Sequence, residues 1–258
     1  MKSISLKFSL IIMLVSVISL SSCNSNDELS AGITSNLVTV DNEGTTLINS
    51  VDLKTVTTGT DAITESQSDW LKFMREEEKL AYDLYVAFSE IYTVPVFKNI
   101  PRAELNHMNA VLTILTTYSI EDPASTQNGV FNNADLQALY NTLLAKGKIS
   151  LVEALKVGAL VEETDILDLA KVYELNPGDD LTALTEALML GSRNHLRAFT
   201  RVLKVNGVVY APVALTLEDY SAIVTSDWER GTGLCIGNQN AYGRKYCNRS
   251  GKGFMGGK

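Results

Sequence analysis

The sequence predicts an all-α fold: an antiparallel four-helix bundle with a long, helix-containing crossover between its second and third helices. Three observations carry this expectation. Four long segments repeat their apolar residues at helical rather than strand spacing. Each of those stripes holds an acid or a histidine where a core residue belongs: Glu78, Glu104 with His107, Glu162, and His195. The link between the second and third segments, residues 119–149, is long enough to cross a bundle and leave those two helices parallel.

With 258 residues, 45% of them hydrophobic and 20% charged, the chain can bury a core of ordinary globular composition. Lys2 and Lys7 precede an apolar run from Leu10 to Leu20, then Ser21-Ser22-Cys23. A charged start, a short apolar run and small residues before a cleavage point predict a secretory signal peptide over 1–22 rather than a membrane span. The cysteine after Leu-Ser-Ser resembles the bacterial lipoprotein box, which implies that Cys23 is lipidated and becomes the mature N-terminus. The expected partner is then a membrane, held through that lipid, and the expected location is the cell envelope, at the outer membrane or cell surface. Cleavage removes Lys2 and Lys7 and no acid, so the formal charge goes from −8 to −10. An acidic protein without a basic stripe is a poor nucleic-acid binder. Residues 23–67, rich in Asn, Ser, Thr, Asp and Gly, are expected to be a flexible tether, although Leu37-Val38-Thr39-Val40 alternates as an edge strand would.

The bundle is expected over 68–205. Its first helix starts at Ser68 or Asp69 and reaches about Tyr92 without Gly or Pro. The stripe Leu71, Met74, Ala81, Tyr85, Phe88 is interrupted by Glu78, and the neighbouring stripe Trp70, Phe73, Leu80, Leu84, Ile91 by Glu77. A carboxylate in such a slot needs a partner or a metal. The second helix is expected from Pro95, with Thr93 as cap and a bend at Pro101, and its stripe is Ile100, Glu104, His107, Val111, Ile114, Tyr118. At 1.5 Å per residue, Glu104 is then roughly 14 Å into its helix and Glu78 roughly 21 Å back from the end of the first, little more than one turn apart. A shorter helix around Asp135–Lys146, capped by Asn132 or Asn133, interrupts the crossover. The third helix, from about Ser150 to Glu174, carries Glu162 among Val152, Leu155, Ala159, Ile166, Leu169 and Tyr173. After the break Asn176-Pro177-Gly178-Asp179, the fourth runs to about Lys204 with Ser192 and His195 in its stripe. Glu162 and His195 lie roughly 18 and 22 Å from that break, again nearly level. Residues 206–228 read as an arm with a short helix near Leu217–Val224. Residues 229–258 read as a Gly-rich basic tail, in which Cys235 and Cys247 are expected to form a disulfide outside the cytoplasm.

Carboxylate oxygens and imidazole nitrogens from four facing helices suit iron or manganese bridged by carboxylates. The expected metal ligands are Glu78, Glu104, His107, Glu162 and His195. A complete two-ion pattern repeats Glu and E-x-x-H twice, and here Ser192 stands where the second quartet wants its glutamate. Asp165 could fill that gap from the neighbouring helix, as could water, or the site holds a single ion. Glu77 and Tyr85 are further candidates beside the metal. The ordinary expectations are a solvated Glu76, an exposed or base-paired Glu163, and Arg193 and Arg197 either at the surface or pairing with the buried acids.

The order of elements, Glu78 with Tyr85 seven residues on, and Glu104-x-x-His107 resemble the ferritin-like superfamily of carboxylate-bridged bundles. More closely, the runs Met74–Ala81, Val96–Ile100, Val161–Ile166 and Gly191–Phe199 resemble the ferritin-like family catalogued as domain of unknown function 2202, over roughly Ser66 to Trp228. Ser192 belongs to that family's pattern. The resemblance implies the fold and the metal site without a reaction, so the catalytic residues stay unassigned. The function expected is that of an exported iron- or manganese-binding protein, with one or two ions, working on oxygen, peroxide or ferrous iron. The alternatives are a non-catalytic metal-binding module and a structural helical lipoprotein, and a homodimer stays open. No pair of C-x-x-C motifs is present to feed electrons through a rubredoxin-like centre.

Overall fold

The secondary structure is set by a few local signals that the chain places at its breaks. The computed structural model describes residues 37–40, 46–49, 52–53 and 62–230. The expected signal segment, Cys23, and the Cys235–Cys247 pair lie outside the described residues. Among those described, six α-helices dominate: α1 (Glu65–Ile91), α2 (Pro95–Thr117), α3 (Ala134–Gly147), α4 (Leu151–Ala170), α5 (Asp179–Val205) and α6 (Leu217–Val224). A short 3₁₀ segment, Lys171–Leu175, follows α4. None of these helices is long and apolar enough to cross a membrane.

Helix α1 begins three residues before the expected start, because Thr64 and Gln67 form a capping box. The Gln67 N–H donates to the Thr64 hydroxyl at 3.2 Å and the Thr64 N–H to the Gln67 side chain at 2.9 Å. Helix α2 starts at Pro95 as expected, but Val94 is its cap and contributes no side-chain bond. Proline at the first helical position needs no N–H partner, which makes a Thr93 cap dispensable. The helix continues through Pro101. Asn133 caps α3, Ser150 caps α4 and Thr216 caps α6, each accepting a backbone N–H of its own first turn.

Part of the expected tether is folded. Strands β1 (Val38–Val40) and β2 (Thr46–Ile48) pair antiparallel with Val38 opposite Ile48. The Asn106 side chain accepts from the Ile48 N–H and donates to its carbonyl at 3.1 Å, standing in for a further strand on that edge. Leu37, Val38, Ile48 and Leu53 are buried beside the helices. The alternation at 37–40 outweighs the polar composition around it, because α2 supplies both a hydrogen-bonding edge and an apolar floor.

Of the four long helices, α1 packs on α2, α4 on α5, α2 on α5, and α1 on α4. Their interior divides into two apolar clusters. One gathers Tyr85, Phe88, Phe97, Leu155 and Phe199, and the other Leu71, Met74, Val111, Ile114, Leu184 and Leu188. Between them, in all four helices, comes a polar belt: Glu78, Glu104, His107, Glu162, Asp165, Ser192 and His195, every one of them buried.

The remaining charges in the family runs tie down chain segments. On α1, Arg75 grips Asp122 with two bonds of 3.0 Å, and Lys79 donates to the Gln127 carbonyl at 2.9 Å. Glu76 accepts the N–H groups of Asn132 and Asn133 at 2.6 and 2.9 Å. It is buried, not solvated as expected, because the crossover folds back over it. Glu163 is likewise fully buried instead of exposed, with its carboxylate receiving the N–H groups of Val213, Ala214 and Leu215. Arg193 and Arg197 reach Glu229, and Arg197 also bonds the Ile223 carbonyl and Ser226. Glu229 thus belongs to the docked arm, and the two arginines do not pair with the central acids.

Replacing Glu163 with glutamine should lower stability by about 1–2 kcal/mol, since a neutral amide presents one acceptor oxygen and an unwanted donor to three N–H groups. Urea unfolding and amide exchange at 213–215 would read this. An unchanged midpoint with full protection would mean that the arm docks without the charge.

Candidate metal centre

The polar belt converges on one point. Glu104 lies between the two histidines, with Oε2 3.1 Å from His107 Nδ1 and Oε1 2.9 Å from His195 Nδ1. Glu78 of α1 adds an oxygen 3.3 Å from His107 Nδ1, and Glu162 of α4 adds one 3.5 Å from His195 Nδ1. The two imidazoles stack with centroids 5.4 Å apart. All five predicted ligands are therefore together, one or two from each long helix. Among the described residues, Glu104, His107 and His195 form a group that could hold a metal, with one ligating atom of each within 4.8 Å of the others.

None of the nitrogen–oxygen approaches around the histidines has hydrogen-bond geometry. Both nitrogens of His107 and His195, together with Glu78 Oε1 and Glu104 Oε1, are buried without a hydrogen-bond partner. Such atoms are costly in an apolar interior unless something else meets their lone pairs. Two imidazoles and three carboxylates suit a borderline-to-hard divalent cation, so the donor set fits iron or manganese.

The other candidates support this point without all facing it. The Tyr85 hydroxyl donates to Glu162 Oε1 at 2.6 Å and sits 3.3 Å from the Gly158 carbonyl, which aims the carboxylate. Ser192 donates to Asp165 Oδ2, and its Oγ sits 3.0 Å from the Leu188 carbonyl. Its hydroxyl thus holds an acid from α4. Asp165 Oδ1 and Glu77 Oε2 stay unpartnered in the interior.

Electrostatics follow from the burial. Burial opposes the charge on Glu104, yet His195 and His107 outweigh it and hold the carboxyl at about 2. Burial, then the Glu104 charge, lifts Glu162 to about 7. Burial works to lower His195, but Glu104 and Glu162 carry it up to about 9. Burial raises Glu78, and both burial and neighbouring acids raise Glu77 and Asp165 well above the carboxylate range. Without a cation, the cluster keeps protons in place of one.

Gly191 is a functional position that helical periodicity does not mark. A Cβ there would lie 2.4 Å from His107 Cε1 and 2.5 Å from Nε2. The ring occupies the space of the missing side chain, one turn before His195. Gly191→Ala should push the His107 ring off Glu78 and Glu104 and cost about 1–3 kcal/mol as overpacking. Denaturant unfolding and metal titration would test it, and a variant with wild-type stability and affinity would show that the ring has slack.

The fold and site define a helical protein with a buried carboxylate–histidine cluster able to hold a metal. The chain belongs to the family described as an uncharacterized protein domain (DUF2202), which matches residues 67–227. It is 44% identical over 170 residues to the uncharacterized protein MJ0754 of Methanocaldococcus jannaschii, covering 66% of this chain and 92% of that one. The crystal structure of the hypothetical protein MJ0754 from Methanococcus jannaschii superposes with a TM-score of 0.64 at 42% identity, over 66% of this chain and 98% of that one.

Proposed function

We propose that this is an exported, lipid-anchored protein of the bacterial cell envelope whose four long helices form a ferritin-like bundle. Within it, Glu78, Glu104, His107, Glu162 and His195 bind one or two ions of iron or manganese for redox chemistry with oxygen, peroxide or ferrous iron as substrate. The observation that carries this reading is the set of buried histidine nitrogens without hydrogen-bond partners, set against carboxylates from three of the four long helices. The cyclic packing of α1, α2, α5 and α4 and the long crossover after α2 support the bundle.

Bound there, the metal would supply one-electron chemistry that amino-acid side chains lack. The protein's own part is orientation and exclusion of water. Glu104 faces both histidines, Tyr85 aims Glu162, and the apolar clusters above and below wall the belt off from solvent. Ser192, in place of a second quartet glutamate, favours one further reading, a non-catalytic module that holds a single ion.

The test is the metal content of residues 24–258, prepared without a histidine tag and passed through gel filtration. About two ions per chain favours the bridged centre, and about one favours the five-ligand site. No metal, with no uptake on reconstitution, removes the metal reading altogether. Oxygen- or peroxide-dependent turnover above that of free ions separates enzyme from store. The same gel filtration, with light scattering, tests a homodimer.

A further inference from the structure

The aliphatic side chains most open to solvent gather at one corner of an otherwise acidic protein. Among the described residues, the four most exposed large hydrophobics are Val209 at 91%, Val205 at 81%, Ile149 at 75% and Val213 at 70%. They come from three segments: the junction of α3 and α4, the end of α5, and the arm that follows. Helices α4 and α5 run antiparallel in one register. Glu162 meets His195, Ser192 holds Asp165, and the Phe199 ring fills the place of a Gly158 side chain. That register sets Val205 level with Val152, so Ile149, just before α4, lies at the same end. The arm completes the corner, because a cleft there is lined in part by Lys146, Lys156, Leu160, Val209, Tyr210 and Val213.

Charge sets this corner apart from the rest of the chain. Residues 146–156 and 201–213 hold Lys146, Lys148, Lys156, Arg201 and Lys204 against a single acid, Glu153, in a chain of formal charge −8. Glu153 accepts from Lys156 at 2.8 Å, while Lys146, Lys148, Arg201 and Lys204 are exposed. The acids of the adjoining segments are Glu90 near the end of α1 and Glu218 and Asp219 in the first turn of α6, and Asp219 accepts from Thr216. Aliphatic tips ringed by cations match the interface of an anionic bilayer, where the tips leave water and the lysines meet headgroups. A second copy of the chain fits less well, because it would set the same cations face to face.

We propose that this corner docks the protein on an anionic lipid surface. Ile149, Val205, Val209 and Val213 enter the headgroup layer, and Lys146, Lys148, Arg201 and Lys204 meet lipid phosphates. The contact rests neither on a metal in the centre nor on a lipid at Cys23. Where that lipid is present, docking adds a second membrane contact and fixes which end of the long helices faces the bilayer.

The test is flotation of residues 24–258, which carry no acyl chain, with vesicles of phosphatidylcholine alone or mixed with phosphatidylglycerol. Binding is expected on the mixed vesicles, should weaken with added salt, and should be lost on phosphatidylcholine alone. Lys146→Gln, Lys148→Gln and Lys204→Gln should each weaken it about fivefold, and Val209→Asp at least about tenfold. Lys72→Gln, near the start of α1 and so at the far end, should leave it unchanged. These positions are exposed, and equal urea midpoints keep the fold out of the comparison. Val209→Trp should add emission that shifts to the blue on the mixed vesicles, measured against the parent's Trp70 and Trp228. The chain beyond Arg230 is also basic, with Arg244, Lys245, Arg249, Lys252 and Lys258, and it is the same in every variant. Binding that survives Val209→Asp and the three lysine changes together would belong to that tail and overturn the docking corner. So would the absence of binding, or Val209→Trp emission unmoved by bound vesicles. A homodimer of the parent that Val209→Asp dissociates would make the corner a subunit interface instead.

Discussion

Replacing Glu104 with alanine is expected to abolish stoichiometric metal in the purified protein, and His107→Ala to do the same. Glu104 is the residue that faces both imidazoles, with one oxygen on each. Its loss removes the contact shared by the two halves of the cluster and leaves Glu78 and Glu162 with one histidine apiece. Loss of a residue that merely orients a ligand already costs about 10–100-fold in metal affinity, so loss of the shared ligand should exceed that. Tyr85→Phe is the graded comparison: it removes the bond to Glu162 and should weaken binding within that range. Metal content by plasma mass spectrometry reads all three. Equal content in Glu104→Ala and the parent would mean that the ion sits elsewhere.

Without metal, the protein is expected to be most stable in mild acid and to lose stability as the pH rises towards 9. Three buried groups set the sign. Glu162 has a folded value of about 7, above an ordinary carboxyl, so between pH 4.5 and 7 the folded chain holds a proton that the unfolded chain releases. Stability falls across that window. His195 is raised from 6.5 to about 9, so its contribution is complete below 6.5 and disappears as pH climbs through 9. Glu104, lowered from 4.5 to about 2, stabilises above 4.5 and loses that contribution as pH falls towards 2. The optimum therefore falls near pH 5, and the histidine alone accounts for a decline on the order of 3 kcal/mol by pH 9. Bound metal should reverse the trend, because it would take the deprotonated ligands and gain affinity with pH. At about 1,000 times its Kd, bound metal adds roughly 4 kcal/mol. Melting curves from pH 4 to 9, with chelator and with manganese, should diverge as pH rises. Parallel curves would show that the cluster takes up protons and no cation.

The all-α class and the inward placing of the five central residues were legible because they are written in helical period. An apolar stripe announces a helix, and an acid within the stripe announces a buried charge, both through neighbours three or four residues apart. Levelling Glu78 with Glu104, and Glu162 with His195, needed only the rise of a helix and the position of a break. The residues next to those ligands were misjudged for the same reason. Glu76 and Glu163 lie just off the stripe, and period assigns such positions to solvent. Each is instead buried by a segment more than forty residues away, the crossover over Glu76 and the arm over Glu163.

By itself, then, the sequence determined what depends on short range: helices, their inward faces, the level of the polar belt and the residue types that suit a metal. Tertiary structure alone decided what depends on distant segments meeting. It brought Asn106 to the edge of β2, gave the His107 ring the space left by Gly191, and set Arg193 and Arg197 on Glu229. Helical period repeats within a few residues and can be read along the chain, whereas these pairings exist only once packing has fixed which faces touch.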